Sequence, residues 1–199
     1  AKAIIAGLIK TNTFLPEEII ASDNSEKALL DAKNMYGINT TVNNSELVLE
    51  SEMVLLAVKP QVIASVINEI SDTVGENKMI ISIVAGQSID RIESLFGRNI
   101  KLIRTMPNTP ALCGEGMTAV CANGNVTDVE LAYALKILSS FGKAEVVSEK
   151  LMDAVVAVSG SSPAYVAMFI EAMADAAVAE GMPRAQAYTF AEQAVYGTA

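Results

Sequence analysis

With 199 residues, 51% hydrophobic and 19% charged, the chain has the composition of a folded protein with a sizeable core, not that of a disordered tail. Its 23 acidic residues against 14 basic ones leave a net charge of -9, which argues against a nucleic-acid surface, and the lack of histidine rules out an imidazole triad, proton shuttle or histidine zinc site within it. The two cysteines, Cys113 and Cys121, read as reduced thiols of a cytoplasmic protein.

Residues 1–10 have helical composition but no cap and no strand before them, as in the back half of a helix. From there to about Thr105, apolar runs alternate with amphipathic stretches. The runs predict strands at Ile19 to Ser22, Met53 to Val58, Met79 to Val84 and Lys101 to Met106. Helices are predicted at Ser25 to Tyr36, Pro60 to Val74 and Ser88 to Phe96, each opened by a serine or by a proline tolerated in a first turn. That order is the signature of an α/β fold, a doubly wound parallel sheet with both faces covered. A strand at Met117 to Ala122, a helix at Asp128 to Phe141 and a strand at Ala144 to Val147 complete the sheet. From Glu149 onward the chain reads as helices only, which divides it into a sheet domain over 1–148 and a helical domain over 149–199.

The longest uncharged stretch, Ala154 to Ile170, is interrupted by Ser159-Gly160-Ser161-Ser162-Pro163 and falls short of the roughly 20 apolar residues of a bilayer span, so no membrane segment is expected. The helix from Ala164 to Glu180 is apolar on nearly every side apart from Glu171, Asp175 and Glu180. Such a helix needs cover on more than one face, which predicts an oligomer built through residues 150–199. Glu171 and Asp175, one turn apart, form either a carboxylate pair or a solvated stripe.

A doubly wound sheet binds its ligand beyond the carboxyl ends of its strands, so the residues just after each strand are the candidates. They are Ala57-Val58-Lys59-Pro60, then Ala85-Gly86, whose small size lets a flat ring approach, and the polar loop Met106 to Pro110 with Asn108 at its centre. Each is also explicable as an ordinary strand-to-helix turn. After the first run comes Ser22-Asp23-Asn24-Ser25-Glu26-Lys27, which faces the adenosine ribose in a dinucleotide fold. Asp23 favours free ribose hydroxyls and Lys27 a 2′-phosphate, while Ser25 caps the following helix in either case. The only match to G-x-G-x-x-A, Gly114 to Ala119, precedes a strand and reads as a turn. Ser159 to Pro163 reads as a capped helix start whose free N–H groups hold an anion, or as capping alone.

Taken together, Ala57 to Pro60, Ser82 to Gly86, Arg104 to Pro110, Val158 to Tyr165, Glu171 to Ala176 and Gly181 to Arg184 resemble the pyrroline-5-carboxylate reductase family, in order along the whole chain. The resemblance implies a Rossmann-like domain, a helical domain that pairs subunits into homodimers or larger homo-oligomers, and reduction of 1-pyrroline-5-carboxylate to L-proline, the last step of proline biosynthesis. It implies NADP as cofactor, with NAD possible. By motif, Asn44 and Ala57, Val58, Lys59 and Pro60 fall on the adenosine side, Asp23, Asn24 and Ser25 at the 2′ position, and Ala85, Gly86 and Asn108 toward the nicotinamide. Ser161 is implied as the catalytic hydroxyl, with Ser159, Gly160 and Ser162 holding substrate.

The family's first strand with its glycine-rich turn, and its later serine-proline-glycine-glycine-threonine loop, do not occur in these residues. Losing two or three backbone hydrogen bonds to phosphate, about 1.5–3 kcal/mol each, would cost some two to six decades of affinity. The expectation is that the 199 residues alone bind dinucleotide poorly and do not turn over. A protonated imine is already electrophilic, so such an enzyme needs no imidazole; it has to orient, exclude water and anchor a carboxylate. The alternatives are a hydroxyacid dehydrogenase, disfavoured because no lysine occurs from Ser159 to Ala199, and a non-catalytic assembling remnant.

Overall fold

The structure, a computed structural model, describes residues 1–198. The apolar runs become β1 (Ile20–Ser22), β3 (Met53–Leu56), β4 (Met79–Ser82) and β5 (Lys101–Pro107), followed by β6 (Gly116–Ala122) and β7 (Gly142–Val146). An additional short strand, β2 (Asn39–Thr41), pairs in parallel with β1. The two form a ribbon apart from the five-stranded sheet, which runs in the order β3-β4-β5-β6-β7. The expected α/β fold with a Rossmann-like parallel sheet is present, with one reversed pairing. β3, β4 and β5 run parallel, as do β6 and β7, but β6 is antiparallel to β5. The reason is the link between them: a 3-10 turn over Thr109–Cys113 closed by Gly114 is far too short for the crossover that a parallel pair requires.

The helices are α1 (Lys2–Lys10), α2 (Glu26–Tyr36), α3 (Asn44–Glu50), α4 (Ile63–Ile70), α5 (Ile89–Phe96) and α6 (Asp128–Leu138). Ser25, Ser88 and Thr127 cap α2, α5 and α6 through side chains that accept from backbone N–H groups, and Gly37 and Gly97 end α2 and α5 in the left-handed region. Pro60 does not open α4. The Val62 N–H bonds back to the Lys59 carbonyl in a separate turn, and the helix starts at Ile63.

Every residue of β4 is buried, and its alternating side chains divide the core. Ile80 packs with Val48, Ile67 and Ile92 from α3, α4 and α5, whereas Ile81 packs with Leu8 of α1, Leu138 of α6 and Phe141. That two-sided cover is why the strand reads as an unbroken apolar run. α1 lies so close to the end of α6 that a Cβ on Gly7 would stand 2.8 Å from Phe141 Cβ.

From Glu149 the chain is helical. A 3-10 turn (Glu149–Leu151), α7 (Met152–Val155), a π-turn (Val156–Gly160) and α8 (Ser162–Ala179) join into one rod, and α9 (Arg184–Tyr196) folds back on it. The serine-rich stretch, as expected, ends one helical segment at Gly160 and starts the next at Ser162, and the two run on as one rod with only Ser161 between them. By length and composition alone the rod Glu149–Ala179 is therefore long and apolar enough to cross a membrane, contrary to the expectation from sequence. α8 and α9 meet through the small buried residues Ala174, Ala187 and Ala191, leaving Val158, Tyr165, Met168, Phe169 and Phe190 exposed. An apolar surface of that extent on a helix pair calls for a partner.

Candidate functional site

The residues chosen from the sequence fall into two groups. The first lies on the rim of a cavity of about 1300 Å³ between the β1–β2 ribbon and the open edge of β3, whose walls are otherwise core side chains such as Ile5 and Leu8 of α1, Val54 and Ile81. Ser22, Asp23 and Asn24 at the end of β1 meet Ala57, Val58 and Lys59 at the end of β3 there, with Asn44 at the start of α3 beside them. Within this group the internal hydrogen bonds separate occupied side chains from available ones. Asp23 accepts the Ser25 N–H at 2.8 Å, and the Ser25 hydroxyl accepts from Ala28, so Ser25 is a helix cap and does not line the cavity. The Asn44 amide donates to Glu69 on α4 at 2.9 Å, which ties it to the scaffold. Ser22, Asn24 and Lys59 make no side-chain hydrogen bond among the described residues, leaving a hydroxyl, an amide and a cation free around the cavity mouth. Pro60 turns away from the cavity lining.

The second group gathers at the ends of β4 and β5 and on the rod. Ala85 and Gly86 form the turn after β4, where Gly86 adopts φ +70° with open space on its Cβ side, a backbone that a flat ring can approach closely. Asn108 follows β5 and reaches the rod: its amide nitrogen donates to the Ser159 carbonyl at 3.1 Å and lies 3.3 Å from the Ser159 hydroxyl. Its amide oxygen accepts the Met117 N–H at 2.8 Å. Gly160 lies next to it, where a Cβ would stand 3.2 Å from Met106 Cε, the flexible end of that side chain.

Most backbone N–H groups at this helix start, where an anion site or plain capping was expected, have partners within the rod. Ser161 N–H is bonded to the Val156 carbonyl, and those of Ala164 and Tyr165 to the Ser161 carbonyl, which leaves few of the donors that a free helix terminus would offer. Hydroxyls remain. Ser162 donates to the Val158 carbonyl and Ser159 contacts Asn108, whereas the half-buried Ser161 hydroxyl makes no hydrogen bond among the described residues. Glu171 and Asp175 do not act as a carboxylate pair, since Asp175 is engaged by Arg184, which also lies 5.7 Å from the Tyr188 ring.

Sequence reasoning passed over a second residue that fastens the rod to the sheet domain. Glu149 accepts from the Ile89 N–H at the start of α5 and from the Arg104 guanidinium on β5, each at 2.8 Å. The available signal was Arg104 itself, a charge inside an apolar strand that has to find a partner. Beside this pair, burial first and then the Glu149 carboxylate push the Cys121 thiol up to about 11, against an opposing effect of Arg104.

Residues 149–199 match the family described as pyrroline-5-carboxylate reductase dimerisation, and residues 1–86 match that described as coenzyme F420-dependent NADP oxidoreductase. The pyrroline-5-carboxylate reductase of Escherichia coli (strain K12) is 46% identical over 198 residues, covering 100% of this chain and 74% of that relative. The solved pyrroline-5-carboxylate reductase from Coxiella burnetii superposes with a TM-score of 0.92 at 33% identity, covering 98% of this chain and 73% of that one. Plasmodium falciparum pyrroline carboxylate reductase, solved with NADP bound, gives 0.89 at 33% identity, covering 98% and 72%.

Proposed function

Because this chain belongs to the pyrroline-5-carboxylate reductase family, we propose that its two groups of strand-end residues serve one reaction, the reduction of 1-pyrroline-5-carboxylate to L-proline with NADPH. The observation that carries the reading is the 46% identity running through the sheet and the helices alike, with no part of this chain outside the match. A hydroxyacid dehydrogenase and a non-catalytic remnant are not favoured by it.

The residues fit a phosphorylated dinucleotide. Ser22, Asn24 and Lys59 offer free donors at the mouth of the cavity, a set that suits a 2′-phosphate. Bound there, NADPH supplies the hydride that the imine carbon accepts. Ala57 and Val58 give an apolar floor, and Ala85 and Gly86 leave room for the ring that has to lie over the substrate. On the substrate side, the Ser161 hydroxyl has no internal partner and is free to hydrogen-bond the imine acid, while Ser159, Gly160 and Ser162 hold the rod backbone in place. The rod excludes water from one side of the cleft.

We read residues 1–148 as the cofactor half and 149–199 as the half that pairs subunits into a homodimer, which would cover Tyr165, Met168 and Phe169, with the enzyme working in the cytoplasm. The test uses the chain extended at both ends to the length of its relatives and reads NADPH oxidation with 1-pyrroline-5-carboxylate against NADP reduction with 2-hydroxyacids. The expected result is L-proline formation and no hydroxyacid turnover. Silence with the imine would refute the reading, and Ser161→Ala leaving both kcat and KM unchanged would remove that residue from it.

A further inference from the structure

Residue 163 is a proline and has no N–H, so the helical bond that would close onto the carbonyl of Ser159 cannot form. The rod accommodates this with the π-turn, in which Ser161 bonds back to Val156 at 2.9 Å and Ala164 bonds to Ser161 at 3.1 Å. No backbone N–H among the described residues reaches the Ser159 carbonyl. Its donor comes from another element: the Asn108 amide nitrogen, 3.1 Å away, which also touches the Ser159 hydroxyl. Asn108 is itself fixed from behind, because its amide oxygen accepts the Met117 N–H at 2.8 Å. Its amide is thereby committed to protein groups on both sides.

We propose that Asn108 is a positioning residue that acts through the carbonyl left unpaired by Pro163, holding the serine turn of the rod against the end of β5, and that it is not a cofactor ligand. The proposal rests on the reading of the serine turn as the substrate side of the reductase. With Asn108 donating to the Ser159 oxygen, the Ser159 hydroxyl hydrogen is left to donate outward, to the carboxylate of the imine acid. Substrate binding, not dinucleotide binding, then depends on Asn108.

In the chain extended at both ends to the length of its relatives, the test compares Asn108→Asp, which keeps an acceptor for Met117 N–H but cannot donate to Ser159, with the unsubstituted enzyme. Asn108→Ser is measured alongside in case the carboxylate prevents folding. A fall in kcat/KM for 1-pyrroline-5-carboxylate of about tenfold or more is expected, carried mainly by KM, with NADPH affinity by fluorescence titration within about twofold. Pro163→Ala, which returns an N–H able to reach the Ser159 carbonyl, should make the Asn108→Asp loss several-fold smaller. A general loss of packing would lower the melting temperature without producing this split or this rescue. Loss of NADPH affinity in place of the substrate effect, or no rescue by Pro163→Ala, would overturn the proposal. Amide hydrogen exchange at Gly160 to Tyr165 decides the case even if the parent proves inactive on the imine. Faster exchange in Asn108→Asp supports the positioning role while the reaction assignment fails, and unchanged exchange refutes it.

Discussion

Replacing Glu149 by alanine removes two of the bonds that tie the rod to the sheet domain, and its cost follows from the contacts. The carboxylate receives the Ile89 N–H and the Arg104 guanidinium at 2.8 Å each. Hydrogen bonds to a charged group are worth about 1.5–3 kcal/mol apiece. Water reaches part of the pair, since the side chains are 34% and 14% exposed for Glu149 and Arg104, so the sum is discounted to about 2–4 kcal/mol. At roughly 2–4 °C per kcal/mol for a chain of this size, the melting temperature should fall by about 5–15 °C. Glu149→Gln retains an oxygen for Ile89 and should cost about half as much. The same substitution has an independent optical readout at Cys121, whose thiol is held up to about 11 by burial first and by the Glu149 carboxylate second, with Arg104 opposing. In a Cys113→Ser background, thiolate absorbance against pH should show the Cys121 transition moving down in Glu149→Ala, because the carboxylate is gone and Arg104 remains. A melting temperature within about 1 °C of the parent, or a Cys121 transition that rises, would refute the assignment of Glu149 as a tie.

The Lys101 ammonium and then the Thr127 N–H hold the Glu130 carboxyl down from 4.5 to about 2. A depressed native value stabilises the fold above the ordinary carboxylate range and is lost as pH falls toward the native value, so Glu130→Gln should flatten the acid limb of denaturation between about pH 5 and 2; an unchanged limb would contradict this. Gly7→Ala would put a Cβ 2.8 Å from Phe141 Cβ and 2.9 Å from the Ser140 carbonyl oxygen. Overpacking of about 1–3 kcal/mol outweighs the roughly 1 kcal/mol gain in helix propensity, so the denaturant midpoint should drop, and a rise would show that α1 can back away. The exposed Cys113 should react with a disulfide reagent in the native protein while the buried Cys121 reacts only after unfolding, and equal native rates would contradict the burial of β6.

The strands of the main sheet were legible because burial on both faces makes them continuous apolar runs: Met79 to Ser82 is buried residue by residue. β2, Asn39–Thr41, was not, because it is a polar strand with its side chains exposed or half-buried and gives no hydrophobic signal. The reversal of β6 was implicit in the short link after Asn108, yet the helix-strand alternation around it suggested a parallel neighbour. Ser159 to Pro163 carried strong local signals for a helix boundary, and one falls there, between Gly160 and Ser162. That the two segments run on as one rod was not legible, because it goes with contacts from far along the chain, Asn108 to Ser159 and Met106 against Gly160. The choice of candidate site residues followed from strand ends, but their division into cavity-lining and rod-holding sets did not, since it depends on which amides and hydroxyls are already occupied. Asn44, bonded to Glu69, and Ser25, capping α2, show this most plainly.

Transfer of deuterium from NADPH labelled at C4 of its reduced ring tests the central claim most directly. The enzyme, extended at both ends to the length of its relatives and incubated with 1-pyrroline-5-carboxylate, should yield L-proline carrying a single deuterium on the ring carbon that had been the imine carbon, read by mass spectrometry and NMR. Unlabelled proline, or label delivered to some other acceptor with the imine untouched, would contradict direct hydride delivery across this cleft.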